Sequence, residues 1–250
     1  MAQEDLQERI SQIDINLNSV QLKMASAAEK AGRSIDEIKL VAVTKLLPLE
    51  FVSAGIKAGL NYFGENYPEQ AVEKIQALKT EQNIEWHMIG HIQSRKARTV
   101  CEYFDMVHSV DRLKIARYLN RHAGELEKNI PVLIEINLTG EESKFGFPAY
   151  DEKDWDTLAS QLTQIAQYEN LTVRGLMTMP PLFEGPEQSR PVYKKLNRLQ
   201  AYLQNNLSKM SWHELSIGTS FDYEVAIQEG ATIVRIGTEI FGKRPEISTN

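Results

Sequence analysis

Three groups of residues in this chain have the types and spacing that chemistry needs. The first is Lys45, which closes the run KLVAVTK. Strand alternation puts Val41, Val43 and Lys45 on one face and Leu40, Ala42 and Thr44 on the other. A lysine at the C-terminal tip of a strand, followed by Leu46 and Leu47, is held near apolar surface. Desolvation there disfavours the ammonium form, and a neutral amine is what Schiff-base formation with a carbonyl requires. From position alone, a strand-end lysine reaching solvent is the commoner outcome. The second group is a pair of late segments, SIGTSFD (216–222) and RIGTEIFG (235–242). Each offers a glycine followed by hydroxyl residues: Gly218, Thr219 and Ser220, then Gly237 and Thr238. Glycine lets backbone amides approach an anion closely. Ser220 and Asp222 also precede a helical run, YEVAIQEGA, whose N-terminus favours phosphate. Singly, each segment is an ordinary turn with a helix cap. The third is Arg235, which shares a strand face with Ile233 and Gly237 and is either a hydrogen-bond donor to a ligand or one half of a rim salt bridge.

The elements that must position these residues can be read from periodicity. Leu6, Ile10, Ile13, Leu17, Val20 and Met24 recur at spacings of three and four, the stripe of one long helix, and Gly32 stands where a left-handed C-terminal residue belongs. Eight short β-branched or apolar runs follow: 39–44, 61–64, 86–90, 106–110, 131–137, 173–177, 213–218 and 232–237. Helical patterns separate them. Strand then helix, repeated about eight times, is the signature of a single (β/α)8 TIM barrel, here with an additional long N-terminal helix (1–33) and a barrel over 38–245. No GxGxxG follows the first strand, which counts against an open doubly wound sheet. With no linker or composition break inside 34–245, one domain spanning 1–250 is expected. Two long connections, 138–152 and 178–190, leave the C-terminal ends of strands five and six and are candidate lids.

A barrel changes the weight of the candidates. Phosphate groups in barrels commonly sit in the loops after strands seven and eight, where the two glycine-hydroxyl segments fall. A lysine able to form an imine and a phosphate site on the same barrel face point to pyridoxal 5′-phosphate, with Arg235 placed to donate to its pyridine nitrogen. Other residues read as structural. Arg95, Lys96 and Arg98 are expected on a solvated helix face, and Cys101 as a small buried hydrophobe. His87 and His91 read as packing and turn residues with no carboxylate spaced for zinc. Glu65 and Glu135 sit at strand ends, where barrel-mouth salt bridges are their expected role.

Composition excludes several classes. The chain has 28 Lys and Arg against 34 Asp and Glu, a net charge of −6 that disfavours nucleic-acid binding. One cysteine forms no internal disulfide or thiolate zinc site. No signal-peptide pattern or apolar window of about 20 residues is found, so neither a membrane nor a secreted setting is expected, and the cytoplasm is.

AVTK with Lys45, FGENY (63–67), WHMIGHIQSRK (86–96), GEESKFG (140–146), GLMTM (175–179) and LSIGTSFDYEVAIQEGATIVRIGTEIFG (215–242) resemble the pyridoxal phosphate homeostasis proteins, in order and spacing, over residues 38–245. The resemblance implies a barrel similar to the N-terminal domain of alanine racemase, with the cofactor held on Lys45 as a Schiff base. It implies Asn66 beside the cofactor ring, Ser220, Gly237 and Thr238 on the phosphate and Arg235 facing the pyridine nitrogen. Lys144 matches a lysine that members carry in the loop after strand five, where it can engage incoming cofactor. The chain departs from the family at Leu47, where many members have a second lysine.

The function expected is a cofactor carrier and buffer, a monomer without strong catalytic activity, which hands pyridoxal phosphate to apo-enzymes. An amino-acid racemase is the alternative. It needs two bases on opposite faces of a carbanion, of which Lys45 supplies one; alanine racemases complete theirs with a partner tyrosine and an extra β domain, and the sequence stops soon after the eighth strand. A class I Schiff-base aldolase is the distant third, since its lysine belongs on a later strand and VRGLMTMP has none.

Overall fold

Each β-branched run forms a strand because both of its faces are buried, one set of side chains filling a barrel and the other packing under helices. In the computed structural model, which describes residues 3–141 and 143–243, eight parallel strands close into that barrel. They are β1 (Lys39–Val43), β2 (Tyr62–Glu65), β3 (Glu85–Met88), β4 (Met106–Val110), β5 (Ile130–Asn137), β6 (Leu171–Met177), β7 (Glu214–Thr219) and β8 (Ile233–Ile236). Around them run α1 (Gln3–Lys30), α2 (Leu49–Lys57), α3 (Pro68–Ala77), α4 (Ala97–Tyr103), α5 (Leu113–Glu125), α6 (Trp155–Ile165), α7 (Arg190–Asn206), α8 (Tyr223–Gln228) and α9 (Thr238–Phe241). A two-residue strand, Phe147–Pro148, pairs with Ile136 and Asn137 beyond the ring. The barrel closes where Leu40 pairs with Val234, Val41 with Arg235 and Ala42 with Ile236.

Alternation sorts the side chains as the pattern predicts. Val41, Met106, Leu133, Met177 and Ile233 meet inside the ring, with Tyr62 packed on them. Their outward neighbours Ala42, Val107, Ile134, Leu176 and Val234 join the larger core under the helices. The β6–β7 pairing depends on Gly175, because a Cβ there would lie 1.8 Å from the Glu214 carbonyl oxygen.

The expected N-terminal stripe is the buried face of α1: Ile13, Leu17, Val20 and Met24 are covered, and Leu6 and Ile10 pack against the same core. Gly32 ends it with φ +68°. The helix lies on α2, α8 and α9, the helices that flank β1 and β8, so it spans the seam where the barrel closes. Asn16 Nδ2 donates to the Ile240 carbonyl (2.9 Å), and Arg33 Nη1 donates to those of Ala231 (2.8 Å) and Ile227 (3.1 Å). Residues 1–2 of the expected helix and 244–245 of the expected barrel lie outside the described residues.

Because Met24 is buried on that seam and Leu22 is exposed on the opposite face, their truncations should separate. Met24→Ala is expected to cost roughly 2–5 kcal/mol in urea unfolding, and Leu22→Ala no more than about 0.5 kcal/mol.

Candidate cofactor site

The site starts from the way the chain leaves β1. The strand ends at Val43, although the Thr44 amide still donates to the Gly64 carbonyl at 3.0 Å. Lys45 therefore stands in the turn after the strand and not on the strand itself. The Leu47 amide closes that turn onto the Thr44 carbonyl (3.0 Å), and Leu46 is forced to φ +62°, a region that costs a non-glycine residue about 1–3 kcal/mol. Something must hold the strained turn. Lys74 on α3 donates to the Thr44 carbonyl (2.8 Å) and pairs with Glu65 Oε1 on β2 (2.7 Å), while Thr44 Oγ1 donates to that same oxygen (2.8 Å). All three residues are buried. Glu65 is thus not a rim residue. It faces outward between β2 and α3, where its ion pair fixes the peptide carbonyl preceding Lys45.

Lys45 opens into a cavity of about 1020 Å³ at the C-terminal end of the barrel. Asn66, Lys144, Ser220, Arg235, Gly237 and Thr238 line it with Lys45, so seven of the eight expected positions converge. Gly218 is the exception. Ser216 pairs with Ile233 and Thr219 with Arg235, so β7 carries an extra residue there, and Gly218 takes it up at φ +87°. A Cβ on it would lie 2.6 Å from Ala226 Cβ. It packs the strand on α8 and aims Thr219 and Ser220 at the cavity. The two glycine-hydroxyl loops are joined, since the Gly237 amide donates to Ser220 Oγ at 3.2 Å. Gly237 also lies against β1, with room for no more than a tight Cβ 3.1 Å from the Val43 carbonyl oxygen. Asn66 Oδ1 is buried with no hydrogen-bond partner, and its backbone is pressed on Gly90, where a Cβ would lie 2.6 Å from the Asn66 carbonyl oxygen.

Arg235 is buried beneath these loops. Its Nη1 donates to the Ser216 carbonyl (2.6 Å) and hydroxyl (2.5 Å), and Nη2 to the Thr178 carbonyl (3.1 Å), with Met179 Sδ at 2.8 Å. Burial pulls its pKa below the ordinary arginine value. Among the described residues it forms no rim salt bridge; its partners are these strand and loop atoms. Glu135 lines the same cavity, and burial first, then the neighbouring Asp111 carboxylate, push its pKa up to about 7.

Several lining residues were invisible to pattern reading. Arg95 and Lys96 are not on a helix face: they lie in the one-turn 3-10 segment Ser94–Lys96 before α4, which turns them to the cavity rim, where Lys96 pairs with Glu69. Only Arg98 sits on α4 as expected, pairing with Glu125 at 3.0 Å. The clue available was their place just after the third strand, on the face where barrel sites form. His91 is more than a turn residue, since its Nδ1 lies 2.8 Å from Asp111 Oδ2 and its ring stacks on Phe145 at 3.7 Å. The two long loops both reach the cavity, through Ser143, Lys144 and Phe145 and through Met179 and Pro180. They touch where Lys144 Nζ donates to the Met179 carbonyl (3.1 Å). Cys101 is buried as expected, its thiol pushed up to about 12. Among the described residues no His, Cys, Asp and Glu cluster could hold a metal, and no helix is long and apolar enough to cross a membrane.

Two measurements follow from these charges. Lys74→Met strands the Glu65 carboxylate and should cost roughly 3–5 kcal/mol in denaturant unfolding, with part of the loss recovered when Glu65→Gln is added. Glu135 binds a proton in the folded state up to about pH 7, while the unfolded chain releases it near the ordinary 4.5. Its effect is therefore a loss of stability as pH rises between those values, on the order of 3 kcal/mol in all. Glu135→Gln should flatten the stability profile across that window; an unchanged slope would contradict the assignment.

Comparison with known proteins agrees with this geometry. The alanine racemase N-terminal domain family matches residues 15–245. The pyridoxal phosphate homeostasis protein of Vibrio alginolyticus is 38% identical over 94% of this chain and 99% of its own length. That of Escherichia coli K12 is 40% identical over 92% and 95%. Among solved structures, PipY of Synechococcus elongatus with pyridoxal phosphate bound superposes with a TM-score of 0.79 at 30% identity, covering 92% of this chain and all of that one. An alanine racemase of Clostridium difficile matches at a TM-score of 0.68 and 15% identity over 58% of its length, a likeness of fold. With relatives this similar along nearly their whole length, the chain belongs to the pyridoxal phosphate homeostasis protein family.

Proposed function

We propose that this protein binds pyridoxal 5′-phosphate in the cavity above β1, β7 and β8, and that it stores the cofactor and passes it to apo-enzymes. The observation that carries the reading is the convergence of Lys45, Arg235 and the joined Ser220 and Gly237 loops on one cavity. The residues suit the group. Ser220, Gly237 and Thr238 form a small-residue cup for a phosphate, in which each charge-assisted hydrogen bond is worth roughly 1.5–3 kcal/mol. Asn66 brings a side-chain amide whose oxygen lacks a partner, and Arg235 brings a buried donor. Bound, the cofactor supplies an aldehyde that condenses with amines. Lys45 offers the amine, held by the turn that Lys74 and Glu65 brace. Arg235 can hydrogen-bond a ring nitrogen but does not readily give up its proton, so it binds without arming the ring as a strong electron sink. That supports storage over turnover, as does the name borne by the relatives at 38–40% identity. The carrier proposed is a monomer in the cytoplasm, a setting that a lone buried thiol suits.

The test uses protein loaded with pyridoxal phosphate. Borohydride followed by peptide mass spectrometry should place the pyridoxyl group on Lys45, with none bound after Lys45→Ala. Loaded protein should restore activity to an apo-enzyme that needs the cofactor. An adduct on another lysine, or sustained D-alanine formation abolished by Lys45→Ala, would overturn the proposal.

A further inference from the structure

Below Arg235 a line of buried polar groups runs down the inside of the barrel. Ser216 Oγ, which accepts from Arg235 Nη1, lies 2.8 Å from His108 Nδ1. His108 Nε2 lies 2.8 Å from His87 Nδ1, and His87 Nε2 lies 3.5 Å from Glu85 Oε2. His87, His108 and Ser216 have no solvent exposure. They come from β3, β4 and β7, and Arg235 from β8, so the line crosses the barrel from its lower end to the cavity floor.

The proton positions along it follow from what each group can do. A guanidinium only donates, so Ser216 Oγ accepts from Arg235 and has one proton of its own to give. If that proton goes to His108 Nδ1, then His108 carries its proton on Nε2 and donates to His87 Nδ1. His87 in turn carries its proton on Nε2, facing the Glu85 carboxylate. In the reverse order His87 Nε2 would be a bare lone pair aimed at a carboxylate, two acceptors face to face. Only the first order turns a proton, and not a lone pair, toward the Glu85 carboxylate, which at 3.5 Å attracts His87 Nε2 without a hydrogen bond. Both rings stay neutral: burial lowers the pKa of each, and His87 and Arg235 lower that of His108 further. The charged neighbours of His87 are Lys39, Glu85 and Asp105, with the Tyr62 ring edge-on at 5.9 Å.

We propose that His108, backed by His87, is a positioning residue for the cofactor: through Ser216 it fixes the hydrogen-bond direction and orientation of Arg235 at the cavity floor. Arg235 then meets the ligand as a set donor instead of a group free to turn. The inference rests on the proposed function for the identity of the ligand, but the order of the protons does not.

Nitrogen-15 spectra of histidine-labelled, cofactor-free protein read the rings directly. His87 and His108 should both show neutral rings protonated at Nε2 between pH 6 and 8. A His108 ring protonated at Nδ1, or charged, would overturn the chain. Loaded protein then tests the positioning. His108→Phe and Ser216→Ala should each raise the pyridoxal phosphate dissociation constant about tenfold, the worth of one hydrogen bond, and shift the visible absorbance of the bound cofactor. His108→Asn, which keeps an acceptor at the Nδ1 position, should restore both. Spectra and affinities unchanged in Ser216→Ala would refute the role even if His108→Phe failed to fold. Wild-type protein that took up no cofactor would refute the ligand and leave the ring tautomers to be judged on their own spectra.

Discussion

The site depends on one ladder, the parallel pairing of β1 with β8 that closes the barrel. Its register sets Val41 beside Arg235. Both side chains point inward, and the next inward residues up each strand are Val43 and Gly237, which meet with almost no room for a Cβ. Two residues beyond Val43 comes Lys45. A slip of one residue would turn Arg235 into the helix layer and put a hydrophobic side chain in its place. The lysine, the arginine and the proposed phosphate cup therefore owe their proximity to one register, although Lys45 and Arg235 are far apart in the chain. The long N-terminal helix acts on the same seam, since its apolar stripe covers the helices that follow β1 and flank β8.

The barrel keeps charges where an apolar core would be cheaper. Burying an ion pair such as Lys74–Glu65 gives little net stability, because the desolvation cost is of the size of the attraction. Its return is geometric. A charged donor on the Thr44 carbonyl and a carboxylate on the Thr44 hydroxyl hold a turn that a leucine at positive φ would otherwise resist. Arg235 shows the same exchange: it gives up hydration, and three of its four contacts are oxygens of Ser216 and Thr178 that the strands hold in place.

Much of this was legible in the sequence, for reasons that also mark where reading stops. Period-two alternation placed Val41, Val43 and Lys45 on one face, and the barrel rule placed two glycine-hydroxyl loops after strands seven and eight, so Lys45, Ser220, Arg235, Gly237 and Thr238 could be gathered from local pattern alone. Asn66 and Lys144 needed the resemblance. That Gly218 would take up a bulge and pack on α8, outside the cavity lining, could not be read, because a bulge leaves no trace in composition. Arg95 and Lys96 were misread because the helix begins two residues later than its basic run suggests. The buried line behind Arg235 was beyond reach, as His87 meets His108 only through strand packing and His108 meets Ser216 across 108 residues.

The two sides of the cavity are held by different physics. Its floor belongs to strands, and the wall proposed for the phosphate is formed by the short loops that leave β7 and β8, with buried charges and closing ladders behind them. Its other side is two long loops, which meet through contacts that water can reach: Lys144 on the Met179 carbonyl, Lys144 with Glu141 at 3.8 Å, and Phe145, half exposed, on His91. Exposed pairs of this kind are worth about 0–1 kcal/mol each, and segments with few buried contacts open most readily. The proposed carrier role, holding a cofactor firmly yet surrendering it, needs that inequality. With Lys45 and the proposed phosphate cup on the rigid side, opening the loops would expose the ligand to an incoming amine without first dismantling the groups proposed to bind it.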